Sequence, residues 1–311
     1  MENNFKDIYE KIYNENEIQK IEKMYRKRSK NILIFFGITM LLVFIIPVSL
    51  FITIPAMIVY VIITSSKKQL EKENEYITMY KEKLVLPLLQ EIFPNSQYRP
   101  NDSLALEKYL EAEYKDNFVK VEDIGKYTSN DHIYLPLDVN GKEVGYLDVY
   151  DVKLETHKTS GSSSSSNRLT IFEGLTATIT LPRNICSKIK VSPKVISNFI
   201  DTSKDNGIAT NFPAFDTYYT ITSDQEVVAS QIFTMEVMQK ILDIFNKYKQ
   251  IYTINIINNR LYVRASCFET FEPVAVIGNN KHMHQEKSFN ALKVIKEATS
   301  LIYEVIDNTD I

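Results

Sequence analysis

Between Asn31 and Thr64 the chain contains no Asp, Glu, Lys, Arg or His and is dominated by Ile, Leu, Val, Phe and Met. A bilayer core takes about 20 apolar helical residues, so this tract reads as membrane-embedded. As one straight helix it would reach roughly 50 Å, well beyond a hydrocarbon core of about 30 Å. Two short crossings fit better, Ile32 to Ile46 and Leu50 to Ile63, turning around Pro47, which has no backbone N–H and disfavours helix at the residue before it.

The flanks decide between one crossing and two. Arg26, Lys27, Arg28 and Lys30 precede the tract, and Lys67 and Lys68 follow it. Basic flanks mark the cytoplasmic side. Two basic ends on one side require a helical hairpin, with both termini and the soluble domain cytoplasmic at the plasma membrane. The alternative is a single tilted helix kinked at Pro47 or Pro55. The expected partners are the bilayer, anionic headgroups at the basic flanks and an unidentified protein.

The 311 residues carry a net charge of −3, which argues against a nucleic-acid binder. Cys186 and Cys267 lack metal-ligand spacing and are too few for a disulfide scaffold.

Four domains are expected: an amphipathic N-terminal helix (1–30), the transmembrane hairpin (31–64), a helical stalk (65–115) and an α+β domain (116–311) of antiparallel hairpins packed with helices. In the first, Phe5, Ile8, Tyr9, Ile12 and Tyr13 form a stripe that reads as packing against the helix leaving the membrane. In the stalk, Pro87 should kink the helix, and Asp102 or Ser103 should cap a short helix carrying Leu106 and Tyr109.

Beyond Asp116 the period changes to two. Asn140-Gly141 marks a hairpin, and the change of face between Val149 and Tyr150 on its return strand suggests a bulge. A serine-rich loop (159–167) follows. Thr176, Thr178 and Thr180 then alternate with Ala177, Ile179 and Leu181, while Gly174 signals a bulge or a close backbone approach. Lys188 to Val191 and Thr217 to Thr222 read as strands. Ser223-Asp224-Gln225-Glu226 has the form of a capping box. Met238, Ile241, Leu242 and Phe245 line one face of a helix after Thr234. A second hairpin turns at Asn258-Asn259, and a final helix spans Ser288 to Asp307.

Tyr98-Arg99-Pro100, Leu169-Thr170-Ile171-Phe172-Glu173-Gly174-Leu175, and Phe215-Asp216-Thr217-Tyr218-Tyr219 followed by Ser223-Asp224-Gln225-Glu226 resemble a bacterial membrane-protein family called domain of unknown function 3137. The resemblance extends over nearly the whole chain and is strongest between Leu169 and Arg264. It implies an integral membrane protein with a cytosolic domain, and no activity.

No motif specifies a reaction, a cofactor or a catalytic residue: there is no phosphate loop, nucleophile elbow or paired Cys-x-x-Cys. His282 and His284 are the metal candidates, since an extended segment would put both on one side, but a surface loop is the simpler reading. Asp216, Asp224 and Glu226 could gather for acid–base work, although negative charge in a helix's first turn explains the last two. The favoured function is therefore a non-catalytic, membrane-tethered binding or scaffold module. The alternative is a membrane-associated enzyme of hydrolytic type using the acidic residues near Asp216 and Asp224.

Overall fold

The computed structural model describes residues 2–15, 34, 37–38, 41, 67–112, 124–139, 142–157, 168–194, 207–248, 252–267, 271 and 280–309. Most of the hydrophobic tract, Arg26 to Lys30, the Asn140-Gly141 turn and the serine-rich loop lie outside these residues. Among the described residues no helix is long and apolar enough to cross a membrane. The chain divides into two compact units, Met1–Ile92 with Phe271–Phe289, and Phe93–Thr270 with Asn290–Ile311.

The first unit is helical. Helix α1 (Glu2–Glu15) buries Phe5, Tyr9 and Tyr13, which recur every four residues and so share one face. Tyr9 stacks on Tyr13 at 5.7 Å, and Phe5 meets Phe289 at 4.9 Å. Helix α2 (Lys67–Tyr80) does not simply kink at Pro87; it widens into a π turn at Lys81–Val85 and resumes as α3 (Leu86–Ile92). Proline supplies no N–H and crowds the preceding turn, and one longer loop of helix absorbs both effects. The α1 stripe packs on this π turn and on α3, where Leu84, Val85, Leu88 and Leu89 are buried.

The second unit is α+β, an eight-stranded sheet in the order β1-β2-β3-β4-β8-β7-β5-β6, antiparallel throughout. Its strands are β1 (Gln97–Arg99), β2 (Ile124–Val139), β3 (Lys142–His157), β4 (Arg168–Thr180), β5 (Lys188–Pro193), β6 (Tyr219–Ser223), β7 (Tyr252–Ile257) and β8 (Arg260–Ser266). Helices α4 (Leu106–Glu111), α5 (Pro213–Tyr218), α6 (Glu226–Ile232) and α7 (Met235–Tyr248) lie between strands, and α8 (Asn280–Thr309) follows them.

Register aligns the strands into transverse rows. Ile133, Val149, Ala177, Val263, Ile254, Val191 and Ile221 are successive Cα partners from β2 to β6, and all are buried. That row belongs to the core face. Ile241 and Leu242 of α7 and Leu301, Ile302 and Val305 of α8 are buried beside it. Tyr252 on the same face reaches the Val294 carbonyl of α8 at 3.5 Å, and Phe245 of α7 meets Tyr219 of β6 at 6.2 Å. Each large aliphatic side chain removed from water here contributes about 1.5–3 kcal/mol.

The next row, one residue along every strand, is polar. It runs Gln97, Tyr134, Asp148, Thr178, Tyr262, Asn255, Lys190 and Thr222 across all eight strands. Because strand side chains alternate between faces, this row points away from the core. Helix α4 covers part of that second face, with Leu104 and Tyr109 packed on Val152 and Leu154. This cover explains why β3 turns apolar on its other face after Val149, where the sequence suggests a bulge. Pairing of β3 with β4 is unbroken from Asp148 to Leu154; opposite Tyr150 the extra residue is on β2, between Asn130 and Ile133, and β3's own register shift lies nearer the turn, between Glu143 and Gly145.

Gly174 is the close approach its position suggests. A Cβ there would collide with the Ala265 carbonyl oxygen and lie 2.7 Å from the Cys267 nitrogen of the neighbouring segment. Asn258 takes the left-handed conformation (φ 58°) in the β7–β8 turn.

Several local expectations are corrected. Thr217 and Tyr218 belong to α5, whose Pro213 occupies its first turn and accepts the Thr217 hydroxyl through its carbonyl at 2.8 Å. The strand starts only at Tyr219. Helix α4 begins after Ala105 without a side-chain cap, because Asp102 is drawn toward Arg99 and His132. The Ser223–Glu226 capping box does not form. Gln225 is the N-cap, and Asp224 lies outside the helix, since Ser223 closes β6 and its hydroxyl accepts the Gln225 N–H at 3.0 Å. The last helix starts at Asn280 rather than Ser288.

Candidate functional site

The polar face of the sheet holds a cleft of about 480 Å³. Its construction starts at the β2 bulge, where Asp131 and His132 stand opposite the single residue Tyr150. Asp131 adopts φ 55°, is buried, accepts the Tyr98 hydroxyl and donates its N–H to the Pro100 carbonyl at 3.2 Å. These bonds fasten the three-residue strand β1 to β2.

The extra residue re-aims His132. Its ring lies parallel to Tyr150 with centroids 4.4 Å apart, its Nε2 is 2.7 Å from Asp148 Oδ1, and its Nδ1 is 3.9 Å from Asp102 Oδ2. Asp102 in turn lies 3.6 Å from Arg99. Burial pushes the Tyr150 phenol up to about 12, and the carboxylates of Asp148 and Asp102 add to the shift. Tyr150 is thus a neutral hydroxyl across the physiological range.

Tyr134 and Tyr146 stack on one another at 4.3 Å beside this cluster, and Tyr146 keeps 41% of its surface exposed. Together with Tyr150 they form one wall of the cleft. Thr178, Thr180 and Tyr262 line it from β4 and β8. Lys108 of α4 and Arg260 at the start of β8 bring positive charge to the same opening. Among the described residues, Lys108, Arg260, Thr178 and Thr180 have no side-chain hydrogen-bond or ion-pair partner. Those four side chains are therefore left to solvent or to a ligand.

Deeper on the same face Arg264 is buried, its guanidinium 4.1 Å over the Tyr109 ring and donating to the Tyr109 carbonyl at 2.8 Å. Asn255 donates to the Ala112 carbonyl. These bonds hold α4 on the sheet and so place Lys108 at the cleft.

A second, smaller cleft of about 300 Å³ lies between β6, α6 and α7, lined by Ile208, Thr210, Phe233, Met235 and Met238 among others. Glu226 borders it, whereas Asp216 and Asp224 are not among its lining residues.

The acidic set proposed from the sequence is not gathered. Asp216 accepts the Thr210 hydroxyl at 2.8 Å. Asp224 Oδ1 accepts Ser187 Oγ at 2.7 Å and the Lys188 N–H at 2.9 Å, tying the β6 end to the start of β5. Burial acts to raise the Asp224 pKa, but the bonds from Ser187 and Lys188 outweigh it and hold the carboxyl below its ordinary value. His282 and His284 fall within the span of α8, and their side chains lie outside the described residues. Among the described residues no group of three or more His, Cys, Asp or Glu could hold a metal ion. Lys67 and Lys68 open helix α2.

No local pattern in the sequence points to His132, Asp131 or the cleft. His132 is one of only four histidines, and its partners come from β3 and from the loop after β1, both remote along the chain. The alternating threonines of β4 are the one visible trace of the polar face.

Residues 170–308 match the family model described as protein of unknown function, DUF3137. Over that segment, less than half of its length, the chain is similar to this family. The DUF3137 match takes in most of β4, all of β5 to β8 and most of α8 and stops short of β1–β3, so it is narrower than the near-complete coverage that a resemblance reaching back to Tyr98-Arg99-Pro100 implies. The cleft thus draws Thr178, Thr180, Arg260 and Tyr262 from the DUF3137 segment and its tyrosine wall from the preceding hairpin. No curated protein matches the chain. One solved structure, the crystal structure of the mycobacterial trehalose monomycolate transport factor A, TtfA, aligns with 67% of this chain and 86% of that one at 9% identity. Its TM-score of 0.31 is too low to carry an argument.

Proposed function

We propose that this protein is a membrane-tethered, non-catalytic binding module, anchored by a hairpin of two helices within Asn31–Thr64 and presenting its sheet domain at the cytoplasmic leaflet. The observation that carries the reading is the uncharged tract with basic clusters on both sides. Ile34, Ile38 and Leu41 support it: they are helical, recur at three- and four-residue intervals on one face, and are 49%, 57% and 60% exposed. A stripe of exposed large aliphatic side chains is stable in lipid and costly in water. Each flanking Lys or Arg adds about 1 kcal/mol of attraction to an anionic leaflet.

Binding rather than catalysis is favoured because Asp216 and Asp224 each serve a local hydrogen bond, whereas the polar cleft offers unsatisfied groups suited to recognition. The test is membrane extraction of the full-length protein with topology reporters. The expected result is retention in membranes through an alkaline carbonate wash, with reporters fused before Asn31 and after Thr64 both reading cytoplasmic. A monomer that stays in buffer without detergent overturns the tether, and an external reporter after Thr64 overturns the hairpin.

A further inference from the structure

The smaller cleft, between β6, α6 and α7, is built from one stretch of chain. All of its lining residues fall between Ile208 and Met238, and from Asn206 to Gln239 the sequence holds Asp216, Asp224, Glu226 and Glu236 but no Lys, Arg or His. Helix α6 and its C-cap give the groove Glu226, Ala229, Ser230 and Phe233, the i, i+3, i+4, i+7 spacing of one helix face. The small Ala229 and Ser230 leave depth there, and Ile221, Phe233 and Met238 are its buried apolar lining. Methionine is unbranched and polarizable, and adapts to side chains of different shape.

The apolar surface continues beyond the groove. Met235 lines it and is 58% exposed, while Val227, next to Glu226 on α6, is 71% exposed. The charge around them has one sign. Glu226 borders the groove, and Glu236 takes bonds from its own backbone N–H and from the hydroxyl of Thr234, a lining residue, which hold its carboxyl below the ordinary value. Among the described residues neither carboxylate has a cation partner. Lys240, the next cation along the chain, is held by Glu304, and Lys194 donates to the Asp216 carbonyl. These acids repel an anionic leaflet, and a small molecule filling about 300 Å³ would leave Val227 in water. An amphipathic helix with apolar anchors and cationic flanks meets both features, since it covers the apolar surface and compensates the carboxylates.

We propose that this groove docks a cationic amphipathic helix of a partner protein, its apolar anchors seated on Phe233, Met235 and Met238 and its Lys or Arg side chains facing Glu226 and Glu236. The proposal supplies a partner class for the binding-module reading and rests on it. Their failures are separable, since membrane retention does not depend on the groove.

The experiment is a fluorescence-anisotropy titration of the full-length protein, held in zwitterionic lipid nanodiscs, with synthetic helical peptides of about four turns; empty nanodiscs supply the background. One peptide carries a leucine stripe with lysines on its other face, a second the same stripe with glutamates, and a third the lysines with serines in place of the leucines. The leucine–lysine peptide is expected to saturate one site on the order of tenfold more tightly than either of the others, and to weaken as salt rises. With a benzophenone replacing one leucine, it is expected to cross-link within Ile208–Met238. Val227→Ser combined with Met235→Ser, both at exposed side chains, should weaken it on the order of tenfold with unchanged melting temperature. Should that pair melt lower, Glu226→Lys carries the test through charge, weakening the leucine–lysine peptide and strengthening the leucine–glutamate one. Failure of the leucine–lysine peptide to saturate above the background overturns the proposal. So do equal binding by either of the other peptides, cross-links confined to other parts of the protein, and wild-type affinity in the variants.

Discussion

The two faces of one sheet are made from the same strands and differ by one residue of register. Ile133, Val149, Ala177, Val263, Ile254, Val191 and Ile221 run across one face. Tyr134, Asp148, Thr178, Tyr262, Asn255, Lys190 and Thr222 run across the other. The first row is sealed by long helices and contributes most of the stability. The second carries α4 over part of its width, where Asn255 and Arg264 donate to backbone carbonyls, and elsewhere it lines the cleft. Period-two alternation therefore gives each strand an apolar, sealed side and a polar, open one. A side chain's cost of removal should follow its face, not its strand.

The strongest way to break this arrangement acts on both faces together. Gly174→Val drives a branched side chain into the Ala265 carbonyl and forces β4 from β8, so a loss of at least about 3–4 kcal/mol is expected, read as a collapse of the denaturant midpoint. Next comes a contrast between faces. Ile254→Ala on the core face should cost about 2–5 kcal/mol, while Thr178→Ala on the open face should change stability by no more than about 0.5 kcal/mol. Similar losses at both positions would dissolve the distinction.

A smaller effect sharpens the edge of the polar face. Tyr98→Phe removes a hydroxyl that donates to buried Asp131 and should cost about 1.5–3 kcal/mol, the range for a hydrogen bond to a charged group, with hydrogen exchange at β1 rising first. The smallest expected effect is a pH dependence at Asp224. Its folded pKa lies below the ordinary 3.8, so its contribution is complete at neutral pH and is lost as pH falls through the folded value. Asp224→Asn should therefore be less stable than wild type at neutral pH, with the gap closing below about pH 4 in equilibrium unfolding.

What can be read from the sequence follows the range of the interactions. The Thr176-Thr178-Thr180 alternation, the Asn258 turn, the α7 stripe and the close approach at Gly174 all leave a signature within a few residues, and each is found in the structure. Strand β1 has three residues and exists only because β2 pairs with it across more than thirty positions. The β2 bulge is likewise set by pairing partners, and the apolar second face of β3 mimics a bulge in sequence because its cause, α4, is remote along the chain. Ser223 shows the opposite error. Its local pattern favours a capping box, but the end of β6 claims the hydroxyl and a contact with β5 claims Asp224. Of the candidate site, only the threonines leave a local trace. The tyrosine wall and its histidine depend on how β2 lies against β3.

The most direct measurement is a crossed comparison of Ile254→Ala and Arg260→Gln in the full-length protein, each followed by equilibrium unfolding. The difference between the faces predicts that Ile254→Ala loses about 2–5 kcal/mol, while Arg260→Gln unfolds within about 0.5 kcal/mol of wild type. If the two substitutions cost the same stability, the two faces do not differ as described.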